Sequence, residues 1–139
     1  MAITESWNGT NWTEVADLNT ARNALTGMGT TTAALGSGGS VSPKQQNELW
    51  NGTSWTEVAD MTTARSVSSA GGSSTSGLVF GGNVPPSTTF TEEWTGAGAP
   101  VGAWATGGSL NTGRQYVNVG GAGTQTAALT FGGSTPPLT

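Results

Sequence analysis

The chain contains no cysteine and no histidine. The first absence removes disulfide frameworks, thiol nucleophiles and cysteine-based metal sites, and the second removes the usual general base and the imidazole metal ligand. Charge is scarce too: only 9% of the residues are charged, four basic against eight acidic, for a formal net charge of −4. No Lys/Arg cluster supplies the electrostatic footprint that holds phosphate backbones, so nucleic acid is not an expected partner. Nowhere does the chain approach the ~18 consecutive apolar residues of a membrane span, and Met1-Ala2-Ile3-Thr4 has neither a basic n-region nor an apolar h-region. The expectation is a soluble chain with no signal peptide, no membrane association and no cofactor.

What is present is mostly Gly, Thr and Ser, with 34% hydrophobic residues, 23 Gly, 6 Pro and 6 Trp. Disordered chains combine few aromatics with high net charge, and this one has neither property. Thr suits a pleated strand, while so many Gly and Pro would break helices. The fold class expected is all-β.

Self-similarity is the main signal. The segment Thr4-Glu5-Ser6-Trp7-Asn8-Gly9-Thr10-Asn11-Trp12-Thr13-Glu14-Val15-Ala16-Asp17 recurs almost intact at Asn47 to Asp60, and a degraded third copy starts at Thr91-Glu92-Glu93-Trp94. The first tryptophans are Trp7, Trp50 and Trp94; the second are Trp12, Trp55 and Trp104, the last displaced by an insertion around Ala97 to Ala103. Ten residues after each second Trp stands an arginine, Arg22, Arg65 or Arg114, and each leads through an apolar stretch to a glycine pair, Gly38-Gly39, Gly81-Gly82 or Gly132-Gly133. The period is about 44 residues, dividing the chain into units at approximately 4–47, 48–91 and 92–139 within one domain.

Four extended pieces fill each unit. The first follows the arginine, at Asn23 to Met28 and Ser66 to Ala70; the second ends on the glycine pair; the third carries Glu-x-Trp; the fourth is Trp-Thr-Glu-Val-Ala. Asn8-Gly9 and Asn51-Gly52 join the third to the fourth, and Asn-Gly between alternating residues predicts a type I′ hairpin. Four short antiparallel strands per repeat is the blade pattern of a β-propeller.

This order of strands resembles the kelch repeat, over nearly the whole chain. The Thr/Gly-rich segments around Gly81-Gly82-Asn83-Val84-Pro85-Pro86 and Gly123-Thr124-Gln125-Thr126 are further similar to repeat proteins encoded by marine bacteriophages. Trp stands where the third strand of a kelch unit usually shows Tyr, and the lack of His removes the chemistry of some kelch-bearing enzymes. The resemblance implies a propeller of four-stranded blades with three blade-equivalents per chain.

Three blades are too few for a ring, since propellers close with roughly four to eight. The chain begins with the third and fourth strands of a unit and finishes with the first and second, so the expectation is a blade shared between copies, head to tail. Pro136-Pro137-Leu138-Thr139 followed by Ala2-Ile3-Thr4-Glu5-Ser6-Trp7 also aligns with Pro85-Pro86-Ser87-Thr88-Thr89-Phe90-Thr91-Glu92-Glu93-Trp94. A six-bladed homodimer is expected, with a nine-bladed trimer second and an excerpt of a longer array as the plain alternative.

Carboxylates and hydroxyls are the remaining candidates for chemistry. Glu5, Glu48 and Glu92, with Glu14 and Glu57, could form acid/base pairs for glycoside cleavage, yet a catalytic pair is needed once whereas these recur, so no enzyme is expected. Arg22, Arg65 and Arg114 have two readings: a structural bridge to a carboxylate or loop carbonyls in each blade, or a ring that holds an anion at one mouth of the channel. The tryptophans Trp7, Trp12, Trp50, Trp55 and Trp94 and the three glycine pairs are read as repeat core. Trp104, beside the insertion, is the one least bound by the repeat and the candidate for a ligand. The loops Ser40 to Gln46, Asn83 to Phe90 and Ala97 to Ala103 are where binding of a protein or glycan partner would be encoded. The function expected is a non-catalytic structural or recognition module, virion- or tail-associated by the phage resemblance; the alternative is a small lectin using loop Trp and hydroxyl residues.

Overall fold

A computed structural model describes residues 2–84, 87–96, 102–116 and 122–135. These residues form twelve short β-strands and no helix. In chain order they are β1 (Thr4–Trp7), β2 (Trp12–Val15), β3 (Thr26–Thr30), β4 (Ala33–Ser37), β5 (Asn47–Trp50), β6 (Trp55–Val58), β7 (Ser69–Gly72), β8 (Ser76–Phe80), β9 (Thr91–Thr95), β10 (Ala103–Thr106), β11 (Ala122–Thr124) and β12 (Ala127–Leu129).

Every pairing is antiparallel between sequence neighbours. Two complete four-stranded sheets, β3-β4-β5-β6 and β7-β8-β9-β10, are flanked by two-stranded sheets, β1-β2 before and β11-β12 after. The first strands of successive sheets adjoin, β3 beside β7 and β7 beside β11. No closed ring or barrel forms among the described residues. The core lies between the two complete sheets, where Met28, Leu35, Val58, Met61, Ala70, Val79 and Trp94 are buried together and Leu49, Ala59 and Trp104 pack against them.

The first strand of each unit starts later than the sequence pattern predicts, at Thr26 rather than Asn23 and at Ser69 rather than Ser66. The cause is a kink two residues after each arginine. Ala24, Val67 and Tyr116 all have positive φ, 56°, 48° and 50°, so the chain cannot run extended there. For a β-branched residue such as Val67 this conformation is strained. The kinks touch through a hydrogen bond from Val67 N to Ala24 O at 3.0 Å.

The hairpin between the third and fourth strands also departs from expectation. Trp7 pairs with Trp12 and Trp50 with Trp55, which leaves a four-residue loop rather than a two-residue type I′ turn. Only the glycine of each Asn-Gly has positive φ, 99° at Gly9 and 94° at Gly52. The asparagine acts through its side chain instead: Asn8 Oδ1 accepts from the N–H groups of Thr10 and Asn11, and Asn51 Oδ1 from those of Thr53 and Ser54, all at 2.9 Å. Asn-Gly is a turn signal through either route, and local side-chain capping prevailed.

The glycine pairs are required by the backbone. Gly38, Gly39, Gly81, Gly82, Gly132 and Gly133 all have φ between 64° and 133°. A Cβ on Gly38 would lie 2.6 Å from Arg65 O, so the pair is also where one sheet's exit meets the next unit's arginine.

Candidate functional site

The arginines organise the strongest polar clusters. Each ends a short recurring segment, Leu18-Asn19-Thr20-Ala21-Arg22, Met61-Thr62-Thr63-Ala64-Arg65 and Leu110-Asn111-Thr112-Gly113-Arg114. Its first residue is tied to the chain two residues ahead of β1, β5 or β9: Leu18 N donates to Ala2 O, Met61 N to Gln45 O and Leu110 N to Thr89 O, at 3.0, 3.0 and 2.8 Å. Each segment is thereby held against the sheet that precedes it.

In the two complete sheets the segment cradles a glutamate from the sheet's third strand. Arg65 is fully buried; its Nη2 donates to Glu92 Oε1 at 2.6 Å and its Nη1 to Phe90 O at 2.9 Å and Gly81 O at 3.2 Å. Glu92 Oε1 also accepts from Thr63 N at 3.0 Å, and Oε2 accepts from Thr62 N at 2.6 Å. Glu48 repeats the arrangement: it accepts from Asn19 N and Nδ2 at 2.7 and 2.9 Å and from Thr20 N at 3.3 Å. Arg22 Nη2 stands 3.2 Å from Glu48 Oε1, at ion-pair distance without hydrogen-bond alignment, so its buried guanidinium nitrogens have charge compensation but no aligned acceptor. Burial pushes both guanidinium groups below their ordinary value; nearby carboxylates oppose that shift, Glu92 at Arg65 and Glu48 first at Arg22.

This geometry places Arg22 and Arg65 in intrachain pairs, with their side chains removed from solvent. Neither presents a free guanidinium to an external anion. Of the carboxylate pairs considered for glycoside cleavage, Glu48 lies opposite Glu57 across β5 and β6 with its oxygens held by Asn19, Thr20 and Arg22, whereas Glu5 and Glu14, opposite each other across β1 and β2, are both exposed. Arg114 differs. It is half-buried, and among the described residues its Nη1 donates only to Gly132 O at 3.1 Å and its buried Nε has no partner.

The tryptophans form three matching cross-strand pairs. Ring centroids are 5.4 Å apart for Trp7–Trp12, 5.3 Å for Trp50–Trp55 and 5.2 Å for Trp94–Trp104, with tilts between 42° and 47°. Trp104 therefore occupies the regular position despite the insertion, opposite Trp94 in the register. It is half-buried and donates to Ala59 O of the preceding sheet at 3.0 Å, which corrects its reading as the tryptophan least bound by the repeat. Burial separates the pairs instead: Trp50 and Trp94 are 6% and 1% exposed, whereas Trp7 and Trp12 are 43% and 64% exposed. Trp7 and Trp12 thus lie outside the core assigned to them from the repeat. They line a cleft of about 240 Å³ with Val15, Ala34, Trp50 and Trp55.

At the opposite flank Leu129 and Phe131 are 64% and 60% exposed, although their counterparts Leu35 and Phe80 are buried. Gly132 and Gly133 are exposed while the other two glycine pairs are buried. Of the loops singled out for binding, Ser40 to Gln46 is described in full; Pro85-Pro86 and residues 97–101 lie outside the described residues, as does Pro136 to Thr139 of the aligned junction.

The glutamates were the residues whose role sequence reasoning did not settle. The signal was available, because Asn/Thr-Thr-Ala/Gly-Arg recurs in step with Glu-x-Trp. Among the described residues no cluster of three acidic side chains suited to a metal ion occurs, and no helix is long and apolar enough to cross a membrane. No protein-family model matches the chain, and no curated protein matches it.

Proposed function

We propose that this chain is a non-catalytic, self-assembling β-propeller module of the kelch type, in which each two-stranded flank is completed by the opposite flank of another copy. The observation that carries this reading is the complementarity of the flanks. β1-β2 corresponds to the outer half of a complete sheet and β11-β12 to the inner half, and each exposes an apolar surface that its counterparts bury. Two copies joined at both flanks make six four-stranded sheets, within the usual size range of propellers, and the contact is heterologous with rotational closure. The loops at the sheet ends then serve as the display surface of a structural or recognition protein, and the Thr/Gly-rich composition similar to phage repeat proteins points to a virion- or tail-associated setting.

Light scattering across a dilution series tests the assembly. A mass of two chains is expected; three chains would mean nine sheets, and a folded monomer at all concentrations would defeat the reading. A second reading, carbohydrate binding, is favoured by one observation, the exposed Trp7–Trp12 pair on its cleft, since exposed indole faces are platforms for sugars. In the assembled form these rings face the neighbouring copy, so binding and assembly compete for the same surface.

A further inference from the structure

Each complete sheet closes its arginine segment with a glutamate from its own third strand. The segment at Arg114 has the same parts without the acid. Asn111 and Thr112 stand where Asn19-Thr20 and Thr62-Thr63 donate their N–H groups, and Arg114 Nη1 meets Gly132 O as Arg65 Nη1 meets Gly81 O. All eight acidic residues lie among the described residues, and none forms an ion pair with Arg114.

The matching acid is Glu5. It sits on β1 at the position that Glu48 has on β5 and Glu92 on β9, yet it is exposed where they are 1% exposed, and among the described residues no arginine segment cradles it. An unfilled cradle at one flank and an unheld carboxylate at the other are complementary in charge and in donor pattern.

We infer that Glu5 of a second copy docks into the Asn111–Thr112–Arg114 cradle, so that a buried ion pair fixes both the partner and the strand register of the junction. This rests on the self-assembly reading above and names the contact that specifies it.

The register follows from the complete sheets. Gly36 pairs with Glu48 and Val79 with Glu92, so Thr130 pairs with Glu5 of the partner subunit, Leu129 with the partner's Ser6 and Ala128 with the partner's Trp7. Two further links recur at that register. Trp50 Nε1 donates to Thr31 O at 3.0 Å and Trp94 Nε1 to Ser74 O at 2.8 Å, which assigns the partner's Trp7 to Gln125 O. Gly39 N donates to Arg65 O at 3.1 Å and Gly82 N to Arg114 O at 3.0 Å, which assigns Gly133 N to the carbonyl of the partner's Arg22. A slip of one residue would turn Glu5 to the other face and leave Arg114 buried without its acid, so the pair discriminates against misregistered joining.

The test uses the full chain in two ways. Dissociation constants are measured by dilution for the unaltered protein, Glu5→Gln, Arg114→Gln and the double variant. Each single change is expected to weaken assembly on the order of a hundredfold or more, because it strands a buried partner, and the double variant is expected to be no weaker than the worse single. Because the chain lacks cysteine, Ser6→Cys with Leu129→Cys reports register independently: oxidation is expected to link copies covalently, and Thr4→Cys with Leu129→Cys is expected not to. If the unaltered protein assembles but both single variants assemble equally well, or if only the offset cysteine pair links, the Glu5–Arg114 contact is wrong and the self-assembly reading stands. If the unaltered protein is monomeric throughout, both fall.

Discussion

Replacing Arg65 by Met isolates the contribution of one filled cradle. Met has similar length and no charge, so the change removes the guanidinium while leaving most of the volume occupied. Four acceptors lose a bond from the guanidinium: Glu92 Oε1, Phe90 O, Gly81 O and, at 3.5 Å, Thr63 O. Removing one partner of a buried ion pair costs about 3–5 kcal/mol. Glu92 retains the N–H groups of Thr62 and Thr63, which keep its charge partly compensated and place the expected loss near the lower end, about 3 kcal/mol. Small domains are stable by only about 5–15 kcal/mol, so the shift is large. Urea unfolding followed by Trp fluorescence, at one fixed protein concentration because assembly adds stability, reads it directly. Combining Arg65→Met with Glu92→Leu is expected to recover part of the loss, since no charge is then buried alone. A loss below about 1 kcal/mol for Arg65→Met, or a double variant worse than the sum of the singles, would refute the claim that this pair is buried and mutually dependent.

The tryptophan pairs give a contrast at constant residue type. Trp94→Ala is expected to destabilise the fold by about 3–5 kcal/mol in thermal or urea unfolding, because the ring is 1% exposed and lies in the core. Trp12→Ala, 64% exposed, is expected to change the unfolding of a diluted monomer by under about 1 kcal/mol yet weaken assembly in the light-scattering series. On a glycan array the assembled protein is expected to bind no sugar class saturably; binding that disappears in Trp12→Ala with unchanged folding would favour the carbohydrate reading.

Much of the secondary structure was legible in local sequence. The third and fourth strands stand where Glu-x-Trp and Trp-Thr-Glu-Val place them, because side-chain alternation and turn residues act over a few positions. The start of the first strand was not legible, since Ala24 and Val67 adopt positive φ that neither residue type favours. Such a conformation is imposed by surrounding contacts, among them the Val67 N to Ala24 O bond between successive units. The insertion before Trp104 misled for a related reason: cross-strand pairing with Trp94 fixes its position, and a longer connection does not alter that register.

By itself the sequence determined the repeat, the all-β class, the strand order within a unit and the positions at which Arg, Glu, Trp and Gly pairs recur. Only the tertiary structure decided which copies of those residues are buried. Glu48 and Glu92 are enclosed and Glu5 is not; Trp50 and Trp94 are enclosed and Trp7 is not; Arg65 has its carboxylate and Arg114 does not. The residue types are the same in each comparison. What differs is whether the chain places a neighbouring strand beside them, and desolvation and ion pairing depend on that neighbour rather than on local sequence.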